Sequence, residues 1–130
     1  MAHLFTRDEA ERLIPALTEL LHDLQRRSGE LEQVRGRLGG VVRAARGNGH
    51  ALEGDVEGLR RQAEELVNEI NRLHARIVAM GCELKGLDEG LIDFPAEREG
   101  RVVYLCWKLG EPAIAWWHEL DAGFAGRQPL

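Results

Sequence analysis

The stretch LEGDVEGLRRQAEELVNEINRLHARIVAM, residues 52–80, decides the fold prediction for this chain. Its apolar residues are separated alternately by four and three positions, which places all of them on one face of an α-helix. These residues are Leu52, Val56, Leu59, Ala63, Leu66, Ile70, Leu73, Ile77 and Met80. The pattern predicts a long amphipathic helix that ends at Gly81, because glycine commonly terminates helices.

A related pattern precedes this stretch. Thr6 and Glu9 have the spacing of a capping box, which marks the start of a helix. Beyond them, apolar residues recur every seven positions, with others three positions further along most heptads, as in a coiled coil. The seven-residue set is Ala10, Leu17, Leu24, Leu31 and Leu38. Glycines at 39–40 and in Gly47-Asn48-Gly49 should weaken or end this helix, so residues 1–80 are predicted to form a long antiparallel, coiled-coil-like helical hairpin.

The composition is that of one globular domain. The chain has 130 residues, of which 44% are hydrophobic and 30% charged, and this balance excludes intrinsic disorder. No apolar run approaches the roughly 20 residues of a membrane helix, and the polar first residues do not resemble a signal peptide. Cys82 and Cys106 are too few for a disulfide scaffold. We therefore expect a single-domain cytoplasmic protein that spans residues 1–130 and has no membrane partner.

From residue 81 onward the helical period gives way to strand-like patterns. Residues 90–95 and 101–108 read as two strands joined by a short turn that ends in Gly100, and residues 82–85 suggest a third. Alternation divides the second strand between two faces. One face carries Val103, Leu105 and Trp107, and the other carries Val102, Tyr104, Cys106 and Lys108. A small antiparallel β-hairpin is therefore predicted in residues 81–130.

A terminal helix is predicted after these strands. Gly110-Glu111-Pro112 matches a helix start with proline in the first turn, and the helix should run to about Asp121. Its apolar face would consist of Ala113, Trp116, Trp117 and Leu120. The predicted fold class is accordingly α+β, mostly α: a helical hairpin, a small C-terminal β-hairpin and a terminal helix.

Several motifs resemble the bacterial domain-of-unknown-function 2203 family. They are FTRDEAERLIPAL at 5–17, GCELK at 81–85, GLIDFPA at 90–96, GRVVYLCWKLGE at 100–111 and WHELDAGFAGRQPL at 117–130. The resemblance covers nearly the whole chain and implies no activity, because none is assigned to that family. It does imply that eight polar positions belong to the family pattern. They are Glu83, Lys85, Asp93, Arg101, Lys108, Glu111, His118 and Arg127.

These eight residues are the predicted ligand-binding set. Lys85, Arg101, Lys108 and Arg127 could bind a small anion, since arginine in particular recognises carboxylates and phosphates. Ion pairs with Glu83, Asp93 and Glu111 that fix the sheet against the terminal helix are the alternative. Both readings stay open from the sequence alone.

Metal binding and catalysis are less supported by the spacing. His118 with Glu111, Asp93 or Cys106 offers reasonable metal ligands, but the spacing matches no known motif, so no metal residues are assigned. Cys106 with His118, or Glu83 with Asp93, would be needed for hydrolytic catalysis, and nothing in the spacing brings either pair together. No catalytic residue is therefore predicted, the enzyme class is left open with a preference for a non-enzyme, and the cofactor is unknown.

The leading function prediction is a non-enzymatic scaffold or interaction module that self-associates through its helical arms. A second apolar flank on those arms needs cover from the C-terminal half or from a second copy. It comprises Ile14, Leu21, Val42, Val67 and Val78. The alternative function is a small polar-ligand or metal-binding protein that uses the C-terminal polar set. Expected partners are a second copy or another protein, and a small anionic ligand; the net charge of −5 argues against nucleic acid.

Overall fold

The computed structural model describes residues 3–48 and 53–130, with two helices followed by a five-stranded antiparallel sheet. The α+β class and the mostly helical content are as predicted. The elements are α1 (Arg7–Asn48), α2 (Glu53–Ala79), β1 (Glu83–Gly86), β2 (Leu91–Arg98), β3 (Arg101–Lys108), β4 (Trp116–His118) and β5 (Gln128–Pro129), with a 3₁₀ turn at Phe124–Gly126.

The predicted capping box is present at the start of α1. The Thr6 amide donates to Glu9 Oε1 at 2.9 Å, and the Glu9 amide donates to Thr6 Oγ1 at 3.1 Å. Two amides that the helix itself cannot bond are thereby satisfied.

The first helix continues through Gly39 and Gly40, where the glycines could have ended it, to Asn48. Each glycine costs about 1 kcal/mol relative to alanine in a helix. Half-buried Leu38, Val41 and Val42 flank them. The predicted loop glycine at position 49, and Leu52 of the second helical pattern, lie outside the described residues.

The two helices pack against each other through the predicted apolar positions. Leu24, Leu73 and Ile77 belong to the main core, and Leu31, Val34 and Leu66 form a second cluster further along. Among residues 3–48 and 53–130, no ion pair joins α1 to α2. The ion pairs on their surfaces link nearby positions of one helix: Arg7–Glu11, Arg26–Asp23, Arg27–Glu30 and Arg72–Glu69. Apolar packing, and not cross-helix charge pairing, therefore holds the helices together in the described part of the chain.

The second apolar flank is covered only in part. Leu21 is fully buried in the main core, and Ile14 packs against that core. Val67 packs on the second cluster, whereas Val78 remains 55% exposed.

The sheet has the order β1-β2-β3-β4-β5, with every neighbouring pair antiparallel. Glu99 and Gly100, both with positive φ, form the tight turn between β2 and β3. The predicted strand near 82–85 is present as β1. One sheet face is buried in the main core together with helix residues. It carries Ile92, Phe94, Val103, Leu105, Trp107 and Trp117.

The prediction of a terminal helix over residues 111–121 is wrong. In the structure Trp116 pairs with Cys106, Trp117 with Leu105 and His118 with Tyr104, so this segment is β4. A helix would have left the backbone groups along that edge of β3 without partners, and aromatic residues favour strands. Leu120, expected on the apolar face of that helix, is 53% exposed.

No helix in the described ranges is both long enough and apolar enough to cross a lipid bilayer.

Candidate metal centre

The sheet face that points away from the helices carries a group of polar residues. Strand register places Glu83 beside Asp93, Asp93 beside Cys106, and Tyr104 beside His118, so that all five side chains project from the same face. The C-terminal residues Leu120, Gly123 and Phe124 lie over part of this face, where they line a cavity with the polar side chains. As a result three of the polar residues are buried: Asp93 is 3% exposed, and Cys106 and His118 are each 2% exposed.

His118 is fixed by hydrogen bonds at both ring nitrogens. Its Nδ1 lies 2.7 Å from the backbone oxygen of Glu119, and its Nε2 lies 3.0 Å from each carboxylate oxygen of Asp93. A carbonyl oxygen only accepts, so Nδ1 must carry a proton. Nε2 and the Asp93 carboxylate then share one further proton, which makes the pair neutral overall. Burial raises the pKa of Asp93, although the hydrogen bond to His118 opposes that rise.

Cys106 completes a cluster of three different ligand types. One ligand atom each from Asp93, Cys106 and His118 lies within 4.8 Å of the others, and all three residues are buried. Burial raises the pKa of the Cys106 thiol to about 12, and the nearby Asp93 charge adds to the rise. The thiol is therefore protonated at neutral pH unless a cation displaces its proton.

A second polar group lies beside this cluster. Tyr104 Oη donates to Glu83 Oε2 at 2.8 Å, and Lys85 Nζ lies 3.0 Å from Glu83 Oε1. The Tyr104 ring stacks at a tilt against the His118 ring, with centroids 5.5 Å apart. Lys85 Nζ lies 4.8 Å from the Tyr104 ring centroid. Glu83, Lys85 and Tyr104 thus form one connected group against the buried cluster.

A small cavity of about 110 Å³ adjoins the cluster. Asp93, Cys106 and His118 line it together, so all three ligand side chains border one space. The other lining residues are Lys85, Leu91, Leu120, Gly123 and Phe124.

The structure divides the predicted ligand-binding set into three groups. Glu83, Lys85, Asp93 and His118 lie together at the cavity and the group beside it. Glu111 forms an ion pair with Arg127 and accepts a hydrogen bond from the Lys108 amide at 2.7 Å. Arg101 pairs with Glu119, its Nε lying 3.1 Å from Oε1. Of the ion pairs expected as the structural alternative, Lys85–Glu83 and Arg127–Glu111 are present, whereas Arg101 pairs with Glu119 instead. Only the first group adjoins the cavity.

The predicted ligand-binding set does not include Cys106 or Tyr104. Their positions on the polar face of β3 were predicted from alternation, but nothing in the spacing placed Asp93 or His118 beside them. The strand register supplies that information. The register also brings Cys106 and His118 together, although His118 Nε2 faces Asp93 and the thiol pKa is raised, which is unlike an activated cysteine nucleophile.

Fold and site together define an α+β protein with a buried Asp–Cys–His cluster on the outer face of a five-stranded sheet. Over residues 3–130 the chain matches the family described as "Uncharacterized conserved protein (DUF2203)", and it belongs to that family. The resemblance noted from the motifs is thereby confirmed. No curated protein and no solved structure matched the chain.

Proposed function

We propose that this protein binds a divalent transition-metal ion, foremost Zn²⁺, through Asp93, Cys106 and His118. The observation that carries the proposal is the convergence of a carboxylate, a thiol and an imidazole, all buried, within 4.8 Å of one another. Zinc favours such mixed oxygen, sulfur and nitrogen ligands in a tetrahedral arrangement. With bonds of about 2.0–2.3 Å, ligand atoms in that arrangement are roughly 3.4–3.7 Å apart. Side-chain shifts of about 1 Å would therefore close the site.

The hydrogen bond from His118 Nδ1 supports this proposal. Metal-binding histidines usually donate their second nitrogen to a carbonyl or a carboxylate, which orients the ring. Here the Glu119 carbonyl holds Nδ1 at 2.7 Å and leaves Nε2 directed toward Asp93. A metal ion between Nε2 and the carboxylate would replace the proton that these two groups now share.

Charge balance also supports a divalent ion. The deprotonated ligands carry one negative charge on Asp93 and one on Cys106, while His118 is neutral. Two uncompensated negative charges in a buried site would cost several kcal/mol, and a divalent cation cancels them. The same cluster without metal is neutral only because it retains two protons.

Cobalt binding tests the proposal against a purely structural ion pair. Co²⁺ added to the chelator-treated protein should bind one equivalent and produce the near-ultraviolet charge-transfer band of a thiolate ligand. Cys106→Ala should abolish that band. Cys82→Ala is the matched control, because Cys82 is also a free, buried thiol whose pKa burial raises to about 11. A wild-type protein without the band, or a band that survives in Cys106→Ala, contradicts the proposal.

The metal proposal implies a reducing compartment, so we also retain the cytoplasm as the proposed location. Cys106 binds metal only as a thiolate, and oxidation would remove that ligand. Both cysteines are free in the structure.

Self-association through the helical arms is the second candidate function. We propose that α1 and α2 form an antiparallel, coiled-coil-like hairpin whose outer part pairs with a second copy. Beyond the second apolar cluster the two helices leave a groove of about 700 Å³. Small and apolar residues line it, among them Gly40, Val41, Ala44, Gly58 and Leu59. Arg37 and Asp55 also border the groove, so two copies in a two-fold arrangement could pair these charges reciprocally.

Size-exclusion chromatography with in-line light scattering, which measures the molar mass of the eluting protein, tests this second candidate. The wild-type protein should have the mass of a dimer or a larger assembly, and Val41→Asp should shift it to the monomer because a charge would be buried in the contact. Val102→Asp, on the exposed surface of the sheet, is the control and should leave the mass unchanged. A monomeric wild-type protein rules the candidate out.

A further inference from the structure

We infer that the metal ion, once bound, takes a short-chain carboxylate such as acetate or propionate in the adjoining cavity. The inference rests on the proposed metal site and names the ligand class that this site would accept. It depends on where the cavity lies, how large it is and what lines it.

The cavity lies where an additional ligand could reach the bound metal ion. Asp93, Cys106 and His118 all border the same space, so an ion held by them would also face it. Three protein ligands leave one tetrahedral position of zinc free, as in catalytic zinc sites. An exogenous oxygen ligand in the cavity would fill that position.

The size of the cavity selects a small ligand. Its volume of about 110 Å³ corresponds to roughly three or four water molecules at about 30 Å³ each. Acetate has four non-hydrogen atoms and propionate has five, whereas benzoate has nine. Benzoate is therefore larger than this space, and its ring would extend outward past the exposed Leu120 and Phe124.

Lys85 supplies a partner for the second carboxylate oxygen. It lines the cavity, and its Nζ now contacts Glu83 Oε1. Glu83 also accepts a hydrogen bond from Tyr104, so Lys85 can turn toward a ligand without leaving the Glu83 carboxylate unbonded. One ligand oxygen would then contact the metal and the other Lys85.

The remaining lining suits an aliphatic tail. Leu91, Leu120 and Phe124 border the cavity. Leu120 is 53% exposed and Phe124 is 42% exposed, so both have apolar surface that a ligand could cover. A methyl or ethyl group in the cavity would bury part of this apolar surface, and a purely polar anion such as phosphate would not.

Titration of the Co²⁺-loaded protein tests the inference. The visible spectrum should change saturably with acetate and with propionate, and benzoate should bind more weakly than either. Lys85→Gln should raise the apparent Kd for acetate about fivefold, in line with the loss of a partly exposed charge pair of about 1 kcal/mol. Lys108→Gln is the matched control, since Lys108 lies near Phe124 but does not line the cavity.

The possible outcomes separate the two proposals. Failure of Co²⁺ to bind overturns the metal proposal and this inference together. Stoichiometric Co²⁺ binding with the thiolate band, but no spectral response to acetate or propionate, overturns the inference and leaves the metal site standing. An equal response to benzoate, or an acetate affinity that Lys85→Gln does not change, also overturns it, because the ion would then be open to any carboxylate.

Discussion

Binding of one Zn²⁺ ion at Asp93, Cys106 and His118 should release two protons at pH 7. One comes from the Cys106 thiol, whose pKa burial raises to about 12. The other is the proton shared by His118 Nε2 and Asp93, since Nδ1 keeps its own proton for the Glu119 carbonyl. Metal binding requires both to leave, so the affinity falls as the pH falls.

The magnitude follows from the number of protons. Two released protons change the dissociation constant about 100-fold per pH unit, or about 2.7 kcal/mol, wherever the metal-free cluster holds both protons. The neighbouring groups should not contribute. Burial raises the pKa of Tyr104, and the hydrogen bond to Glu83 raises that of Lys85, so both stay protonated at pH 7.

Isothermal titration calorimetry measures the proton count directly. The apparent binding enthalpy is compared in buffers of different ionisation enthalpy at pH 7, and the slope gives the protons released per ion. We expect two protons per ion for the wild-type protein and for Cys82→Ala. Cys106→Ala, which lacks the thiolate ligand, should bind the ion more weakly and release one proton. Release of only one proton by the wild-type protein would contradict the proposed ligand set, because Cys106 or the His118–Asp93 pair would then have kept its proton.

Two further predictions concern protein stability, one at the His118–Asp93 pair and one at the capping box of α1. His118→Ala should destabilise the metal-free protein by about 3 kcal/mol in urea unfolding, because it leaves the buried Asp93 carboxyl without its partner. His74→Ala, at an exposed histidine, is the control and should change stability by less than about 0.5 kcal/mol. Equal effects of the two substitutions would contradict the burial argument. Thr6→Ala should cost about 1 kcal/mol through loss of the capping box. Thr18→Ala, whose hydroxyl bonds only the Ile14 carbonyl within the helix, should cost less, and the reverse order would show that the cap is not stabilising.

The helices and the main core were predictable because their signal is local. The alternation of four and three positions in residues 52–80 requires only that one helical face be apolar. Leu66, Leu73 and Ile77 are buried as that periodicity predicts. The two faces of β3 were predictable for the same reason, since alternation along one strand does not depend on its neighbours.

The polar cluster was not predictable, because it depends on the register between strands. Asp93 is 13 positions before Cys106, and His118 is 12 positions after it. They meet only because a two-residue turn joins β2 to β3 and because β4 returns to pair with β3. The terminal helix was predicted wrongly for a related reason. Glycine and proline at 110–112 match a helix start. The edge of β3, however, needs a partner strand for its backbone hydrogen bonds, and no pattern within residues 110–121 shows this.

The arrangement of the three ligands across three neighbouring strands has a consequence for folding. A shift of one residue between β2 and β3 would turn Cys106 toward the helices while Asp93 stayed on the outer face. An ion bound by all three side chains would therefore stabilise only the native strand register, because a chain with shifted strands could not bring the three ligands together.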